Sequence, residues 1–257
     1  MRVTVLASGS RGNAALFDDG ATCLLVDAGI PLAALRQRIA RSGARGPDAV
    51  IVTHAHGDHH RYAGEAALHF RAPVWVSESS RRMLPLHGAP SVRVFGAREP
   101  FRVGTLDVAP LPLPHDAAQV SLRVTGSDGR AAAIATDLGE VPPALEAHLR
   151  GCSTVLIESN HDLERLWRGP YSYALKRRVA SSQGHLSNEQ TAALLRRLDR
   201  SVETVVLMHL SETNNLASLA LERAAEALAD HSARLLAASQ DDPCSVASTP
   251  PRQLSLF

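Results

Sequence analysis

The segment THAHGDHH, residues 53–60, crowds His54, His56, Asp58, His59 and His60 into seven consecutive positions. Imidazole and carboxylate are the side chains that ligate Zn2+ and similar divalent ions. A single histidine is usually a surface or satisfied core residue. Five ionisable groups packed this tightly are expensive in any role other than metal binding or catalysis. The preceding run AVIVTH (49–54) reads as a buried strand that delivers the cluster. Alternate side chains on an extended chain share a face, so His54 and His56 can point the same way. Gly57 turns the chain, and Asp58 and His59 beyond it can face a second ion.

The elements that must position this cluster alternate between strand and helix. Short β-rich runs at 3–7, 15–17 and 22–27 are separated by glycine-bearing turns. Residues 31–41 read as a helix with Pro31 in its first turn. Residues 60–70 are helical in pattern, PVWVS (73–77) is a strand, and 101–111 is a hairpin around Gly104. Strands follow at 119–125, 130–136, 153–159, 203–209 and 233–237. Helices begin near Pro142, at Ser187 and at 215; Ser187 with Gln190 three residues on is a capping box. Residues 160–184 are mixed in pattern and carry a basic run, Lys176-Arg177-Arg178. Several strands end on Asp or His, and α/β sheets build sites where strand ends deliver residues to one edge.

Composition sets bounds. The 257 residues are 45% hydrophobic and carry a formal charge of +1, which suits one large α/β domain and excludes a polycation. Nucleic-acid contact would therefore need a local basic patch. Cys23, Cys152 and Cys244 have no metal-ligand spacing and read as free thiols. There is no signal-peptide pattern and no apolar run of the roughly 18 residues a membrane helix needs. The expectation is a cytoplasmic protein with no membrane partner.

H-x-H-x-D-H after a strand is the signature of the metallo-β-lactamase superfamily, and the sequence resembles it over residues 1–237. The resemblance implies a single αββα sandwich domain and a dinuclear centre. It gives one metal His54, His56 and His115 (in LPHDA), and the other Asp58, His59 and His209 (in VLMHLS). Asp137 (in IATDLG) and a water bridge them. His60 is not a ligand in this pattern and belongs to the start of the next helix. Two such ions, roughly 3.5–4 Å apart, lower the pKa of a shared water and clamp both oxygens of a displacement. The ions are Zn2+ or Mn2+; nitrogen-rich ligands lean to Zn2+, and mixed sites accept both.

Departures from other branches narrow the resemblance. β-Lactamases have Cys where Asp137 stands, and flavodiiron proteins replace the histidine at His56 with Glu. Glyoxalase-II-like thioesterases add a helical domain, and the interval 138–208 is too short for the β-CASP insertion. Glu158 and His185 match the pair that the phosphodiesterase branches set beside the metals, His185 assisting the leaving oxygen and Glu158 fixing its tautomer. The alternative for His185 is a cap in front of the next helix. The phrases ASGSRGNA, TDLG, ESNHD, LKRR, GHLSN and HLSETNN are similar to the YycJ/WalJ-type (VicX) group of bacterial metallo-β-lactamase-fold hydrolases. That resemblance implies exonuclease action on DNA. On the substrate side, Ser10 and Asn13 are assigned to the site mouth, Arg177 and Arg178 to phosphate contact, with a solvated helix face as their alternative, and Asn215 to a supporting place behind the site.

The chain ends in QLSLF: Gln253, Leu254, Ser255, Leu256 and Phe257. This is similar to the peptide by which bacterial replication and repair proteins bind the sliding clamp (β subunit); the alternative is an apolar tail folded onto its own domain. Leu254, Leu256 and Phe257 would each contribute about 1.5–3 kcal/mol on burial in a pocket, partly offset by ordering the tail. The domain plan is therefore a phosphodiesterase domain at 1–238, a flexible linker at 239–252 and a clamp-binding motif at 253–257. The expected activity is a metal-dependent DNA exonuclease serving replication-linked repair such as mismatch correction. The alternatives are a small-molecule (cyclic) phosphodiesterase, and a non-catalytic clamp-tethered DNA-binding protein with structural metals.

Overall fold

The computed structural model describes residues 1–247. The first sheet forms from β1 (Arg2–Ala7), β2 (Ala14–Asp18), β3 (Cys23–Val26), β4 (Ala49–Val52), β5 (Val74–Ser77) and β6 (Val92–Phe95). The second forms from β7 (Phe101–Val103), β8 (Leu106–Leu113), β9 (Gln119–Thr125), β10 (Ala131–Ala135), β11 (Cys152–Glu158), β12 (Thr204–Met208) and β13 (Arg234–Ala237). A last strand, β14 (Cys244–Ala247), returns to the first sheet. The spatial orders are β14-β1-β2-β3-β4-β5-β6 and β13-β12-β11-β10-β9-β8-β7. Each sheet begins antiparallel and turns parallel: β3 to β6 in one, β10 to β13 in the other.

Strand pleating explains the layers. Successive side chains point to opposite faces, so Phe17, Leu24 and Ile51 enter the core between the sheets while Leu16, Leu25 and Val50 face outward. Leu106, Leu122, Leu156 and Val206 meet the first group from the second sheet. The outward face of the first sheet packs on α1 (Leu32–Ser42) and α3 (Ala63–Phe70), through Leu35, Ile39 and the small residues Ala63, Ala66 and Ala67. α2 (Gly57–His60) and α4 (Glu78–Arg81) are single turns. The outward face of the second sheet packs on α5 (Pro143–Leu149), α8 (Asn188–Leu195) and α9 (Ala217–Ala227). α6 (Leu163–Arg168) and α7 (Tyr173–Val179) fill the stretch between β11 and α8. The result is the αββα sandwich expected from the resemblance, in one domain. No helix among the described residues is long and apolar enough to cross a membrane. Cys23, Cys152 and Cys244 are unpaired.

The capping box at Ser187 and Gln190 forms as the spacing requires. Periodicity missed β6, the single turn α4, and both helices of 160–184. All four are short, and α7 has no buried residue to give it an apolar stripe.

The linker boundary needs correction. Residues 239–247 are not a tether. Gln240 Oε1 accepts from Arg11 N at 3.0 Å and its Nε2 donates to the Gly12 carbonyl at 2.9 Å. Arg38 donates to the Gln240 carbonyl at 2.6 Å and pairs with Asp241 at 3.1 Å. β14 then pairs antiparallel with β1, Val246 opposite Val3, and Val246 enters the inter-sheet core. The Ser/Asp/Pro composition concealed a four-residue strand with a single buried side chain. The remaining linker and the motif at 253–257 lie outside the described residues. Val246→Asp would place an unpaired charge in that core. It should destabilise the fold by about 2–4 kcal/mol and lower the melting temperature by about 5–10 °C in a thermal melt. A tether would show no change.

Candidate metal centre

The parallel strands of both sheets end at one edge, and the reactive side chains leave from those ends. Asp27 follows β3, His54 lies just past β4, Asp137 just past β10 and His209 follows β12, while Glu158 is the last residue of β11. His56, Asp58 and His59 come from the turn into α2, and His115 lies two residues beyond β8. Asp27, Asp137 and His209 all adopt left-handed backbone, with φ of 62°, 57° and 54°. For a residue with a Cβ this costs about 1–2 kcal/mol, a strain that concentrates at functional sites. Gly29 lets the loop after β3 lie against the α2 turn: a Cβ there would fall 1.7 Å from the Asp58 carbonyl oxygen.

Asp27 orients two of the histidines. Its buried carboxylate accepts from Thr53 N at 2.8 Å and from the Thr53 hydroxyl at 3.0–3.1 Å. With that hydroxyl proton committed, Thr53 Oγ1 accepts from His54 Nδ1 at 3.1 Å. His54 is thereby held in the tautomer whose lone pair is on Nε2. Burial and the neighbouring His59 push its pKa well down, so it is neutral. Asp27 also accepts from His59 Nδ1 at 2.7 Å, which turns His59 Nε2 towards Asp137 Oδ2 at 3.0 Å and Asp58 Oδ2 at 3.5 Å.

The other rings are set the same way. His115 Nδ1 donates to the Gly184 carbonyl at 3.1 Å, leaving its Nε2 3.2 Å from His56 Nδ1. Burial lowers the His115 pKa. His56 Nε2 faces Asp116 Oδ1 at 3.2 Å. His209 Nδ1 meets Asn13 Oδ1 at 3.2 Å, and its Nε2 faces Asp137 Oδ1 at 3.4 Å.

These donors fit a bound cation. Among the described residues, His54 Nε2 is buried without a hydrogen-bond partner, and Asp137 Oδ2 faces His59 Nε2 alone. With their outer protons directed to Asp116 and Gly184, His56 Nδ1 and His115 Nε2, 3.2 Å apart, would turn both lone pairs to one point, where a cation would relieve their repulsion. The ligand atoms of His54, His56 and His115 lie within 4.8 Å of one another, as do those of Asp58, His59 and His209, and those of His54, His59 and Asp137. Burial opposes ionisation of Asp58 and Asp137, but His59 and His209 hold both carboxyls well below the usual range. Burial likewise opposes a charge on His59, yet Asp137 and Asp27 hold its pKa well above normal. Several buried carboxylates sharing one site demand balancing positive charge. A cation ligated by His59 Nε2 would supply it in place of a proton.

Glu158 and His185 also come together, with Glu158 Oε1 2.7 Å from His185 Nδ1. Glu158 Oε2 accepts from Leu138 N at 3.0 Å and Leu186 N at 3.2 Å, which pins the carboxylate. Burial alone would lower the His185 pKa, but Glu158, with Asp137 and Asp58, outweighs it and raises the value to about 9. His185 is therefore a partner of Glu158 and does not cap α8, a role taken by Ser187. A cavity of about 160 Å³ opens beside His115, His185 and His209, walled by Tyr171, Leu175 and Arg178. His60 closes α2 and is no part of the cluster.

Two assignments to substrate change. Asn13 is buried, and its amide holds Gly9, His59 and His209, so it positions the centre instead of meeting a ligand. Asn215 is buried in a network with Asn188, Ser159 and Asn160, the supporting place expected of it. Arg177 is exposed on α7 away from the cavity, whereas Arg178 and Ser10 line it. Two residues escaped the sequence reading. Asp27 was visible as a strand ending on aspartate. Asp116 follows His115 directly, lies near both His56 and His115, and accepts from Arg178 Nε at 2.8 Å.

A family model described as a β-lactamase superfamily domain matches residues 22–210. The chain belongs to the metallo-β-lactamase superfamily. It is 30% identical to the exodeoxyribonuclease WalJ of Streptococcus pneumoniae over 228 residues, 85% of either chain. It is 30% identical to the exodeoxyribonuclease YycJ of Bacillus anthracis over 227 residues, 86% of either chain. The crystal structure of the metallo-β-lactamase fold protein YhfI from Bacillus subtilis superposes with a TM-score of 0.72 at 17% identity, covering 95% of this chain and 99% of its own. This last likeness speaks to the fold. Together, the metallo-β-lactamase fold, the relatives and the His/Asp cluster make the chain a metal-dependent hydrolase.

Asp27→Asn should weaken metal affinity about 10–100-fold, the usual cost of losing the carboxylate behind a ligating histidine. Competition with a chromogenic chelator measures it. Unchanged affinity would show that Asp27 does not set His59.

Proposed function

We propose that the protein is a two-metal DNA phosphodiesterase, an exonuclease brought to newly made DNA through a C-terminal sliding-clamp peptide. The observation that carries the reading is the His185–Glu158 pair beside Asp137 at the cavity, with His185 Nδ1 2.7 Å from Glu158. Phosphodiester cleavage needs an acid at the leaving oxygen. A histidine held protonated by a buried carboxylate meets that need. The names of WalJ and YycJ, both exodeoxyribonucleases, support DNA as the substrate.

His54, His56 and His115 would hold one ion, Asp58, His59 and His209 the other, and Asp137 would touch both. The ions, Zn2+ or Mn2+, would supply a Lewis-acid clamp and an acidified water. The chain's own residues do the rest. Glu158 accepts the hydrogen bond of His185 Nδ1–H, so Nε2–H is free to donate to the departing oxygen. Arg178 and Ser10 line the mouth and hold the phosphate. Gln253 through Phe257 bind the clamp and serve replication-linked repair, mismatch correction first among it; the tethering raises local concentration without a new contact at the active site.

End-labelled linear DNA tests the reading, with the metal-loaded wild type, Asp58→Ala, and a truncation ending at Arg252, each with and without the clamp. Asp58→Ala should lower degradation by about a thousand-fold, the equivalent of the several kcal/mol a catalytic metal supplies. The clamp should accelerate only the chain that keeps its last five residues. Turnover of bis(p-nitrophenyl) phosphate with no loss of DNA would sink the DNA assignment in favour of a small phosphodiester. Cellular function that survives His54→Ala with Asp58→Ala would favour structural metals.

The acid role has its own pH signature. Activity requires protonated His185, so the rate falls as pH rises through its pKa. Glu158→Gln removes the main charge that raises that pKa. The alkaline limb of the kcat–pH profile should then move to lower pH. A limb that stays in place would remove His185 from the acid role.

A further inference from the structure

Ten aromatic residues (two Trp, three Tyr, five Phe) are spread over 257 positions, yet Trp167, Tyr171 and Tyr173 fall within seven of them. Trp75 spends its ring in the fold, stacked on Phe101 at 4.9 Å between centroids. Trp167 on α6 and Tyr173 on α7 do not: they are 44% and 70% exposed, with centroids 6.2 Å apart and planes tilted by 44°. Lys176 Nζ donates to the Trp167 carbonyl at 2.8 Å and latches the two helices together. The same short segment continues into the catalytic cavity, where Tyr171, Leu175 and Arg178 form its wall.

From this juxtaposition we propose that Trp167 and Tyr173 form a stacking platform for the bases of an unpaired DNA strand, and that the strand runs from the platform past Arg178 to the metal centre. The proposal rests on the nucleic-acid reading above and adds to it the form of DNA that enters. Exposed rings beside basic side chains are how proteins hold single strands: every base offers a π-face, and cations follow the backbone. Arg177 and Arg178 come one turn after Tyr173. Within a duplex the base faces are already stacked on one another, so the rings select a strand end that has come apart.

The test uses the metal-loaded full chain and a phosphorothioate-protected, fluorophore-labelled 12-mer, single-stranded or as a blunt duplex. Trp167→Ala and Tyr173→Ala should each weaken single-strand affinity about ten-fold or more, and Trp167→Phe should restore most of it. In a Trp75→Phe background Trp167 is the chain's one tryptophan, and its emission should be quenched by the single strand and not by the duplex. This second measurement stands even if an alanine variant fails to fold. Unchanged affinity in both alanine variants, or equal quenching by duplex, overturns the platform. A wild type that degrades DNA while both variants bind it normally loses only this proposal. A wild type that binds no DNA at all loses the nucleic-acid reading with it.

Discussion

The carboxylate of Asp27 is the constraint on which the site is built. It is 1% exposed, and through Thr53 and directly it fixes the rings of His54 and His59. One buried anion thereby sets the His54 tautomer and the His59 orientation. A buried charge is tolerated only when paired and fully hydrogen-bonded. Asp27 achieves this by accepting from one backbone amide, one hydroxyl and one imidazole. That imidazole in turn needs Asp137 or a cation on its far side. The metal centre is thus the outer end of a charge chain that starts in the protein interior.

The sheets explain why the chain can be anchored there. β3 and β4 of one sheet, and β10 to β12 of the other, run parallel and end at the same edge. A parallel strand brings each following residue to one rim, and two such rims face each other across the inter-sheet core. The first sheet contributes Asp27, His54 and the α2 turn; the second contributes Asp137, Glu158 and His209. Neither half holds a complete ligand set. Closure of the core around Phe17, Leu24, Ile51, Leu122, Leu156 and Val206 is therefore what assembles the centre.

Much of this was legible, for reasons that differ by residue. His54, His56, Asp58 and His59 are close in sequence, so local spacing exposed them. Asp137 and His209 stood at predicted strand ends, but their roles as ligands, like that of His115, came from the resemblance. Glu158 and His185 are 27 residues apart and were reached only through the resemblance. Asp27 stands at a visible strand end but ligates nothing in the expected pattern, and Asp116, an aspartate beside a histidine, has no distinctive period. Asn13 was taken for the mouth because a polar residue near a site suggests solvent and ligand, whereas Asn215 has the supporting place expected of it. Their burial, which makes them scaffolding, is a property of the packed chain. β14 was hidden by composition, since one buried valine in a polar run leaves no alternation to detect.

The left-handed backbone at Asp27, Asp137 and His209 completes the picture. Each lies where a strand stops and its next side chain must swing into the site. An extended continuation would carry alternate side chains to the two sheet faces, towards a helix layer or the inter-sheet core. A single left-handed residue breaks that alternation and aims the functional group along the rim. Glycine would take this backbone without strain, but glycine has no carboxylate or imidazole to offer. The chain therefore accepts about 1–2 kcal/mol at each position, and the inter-sheet packing holds the strained turns in place. Positive charge among Asp27, Asp58 and Asp137 then acts in the same sense as that packing. It favours the rim conformation that brings the carboxylates together over any relaxed one that would let them separate.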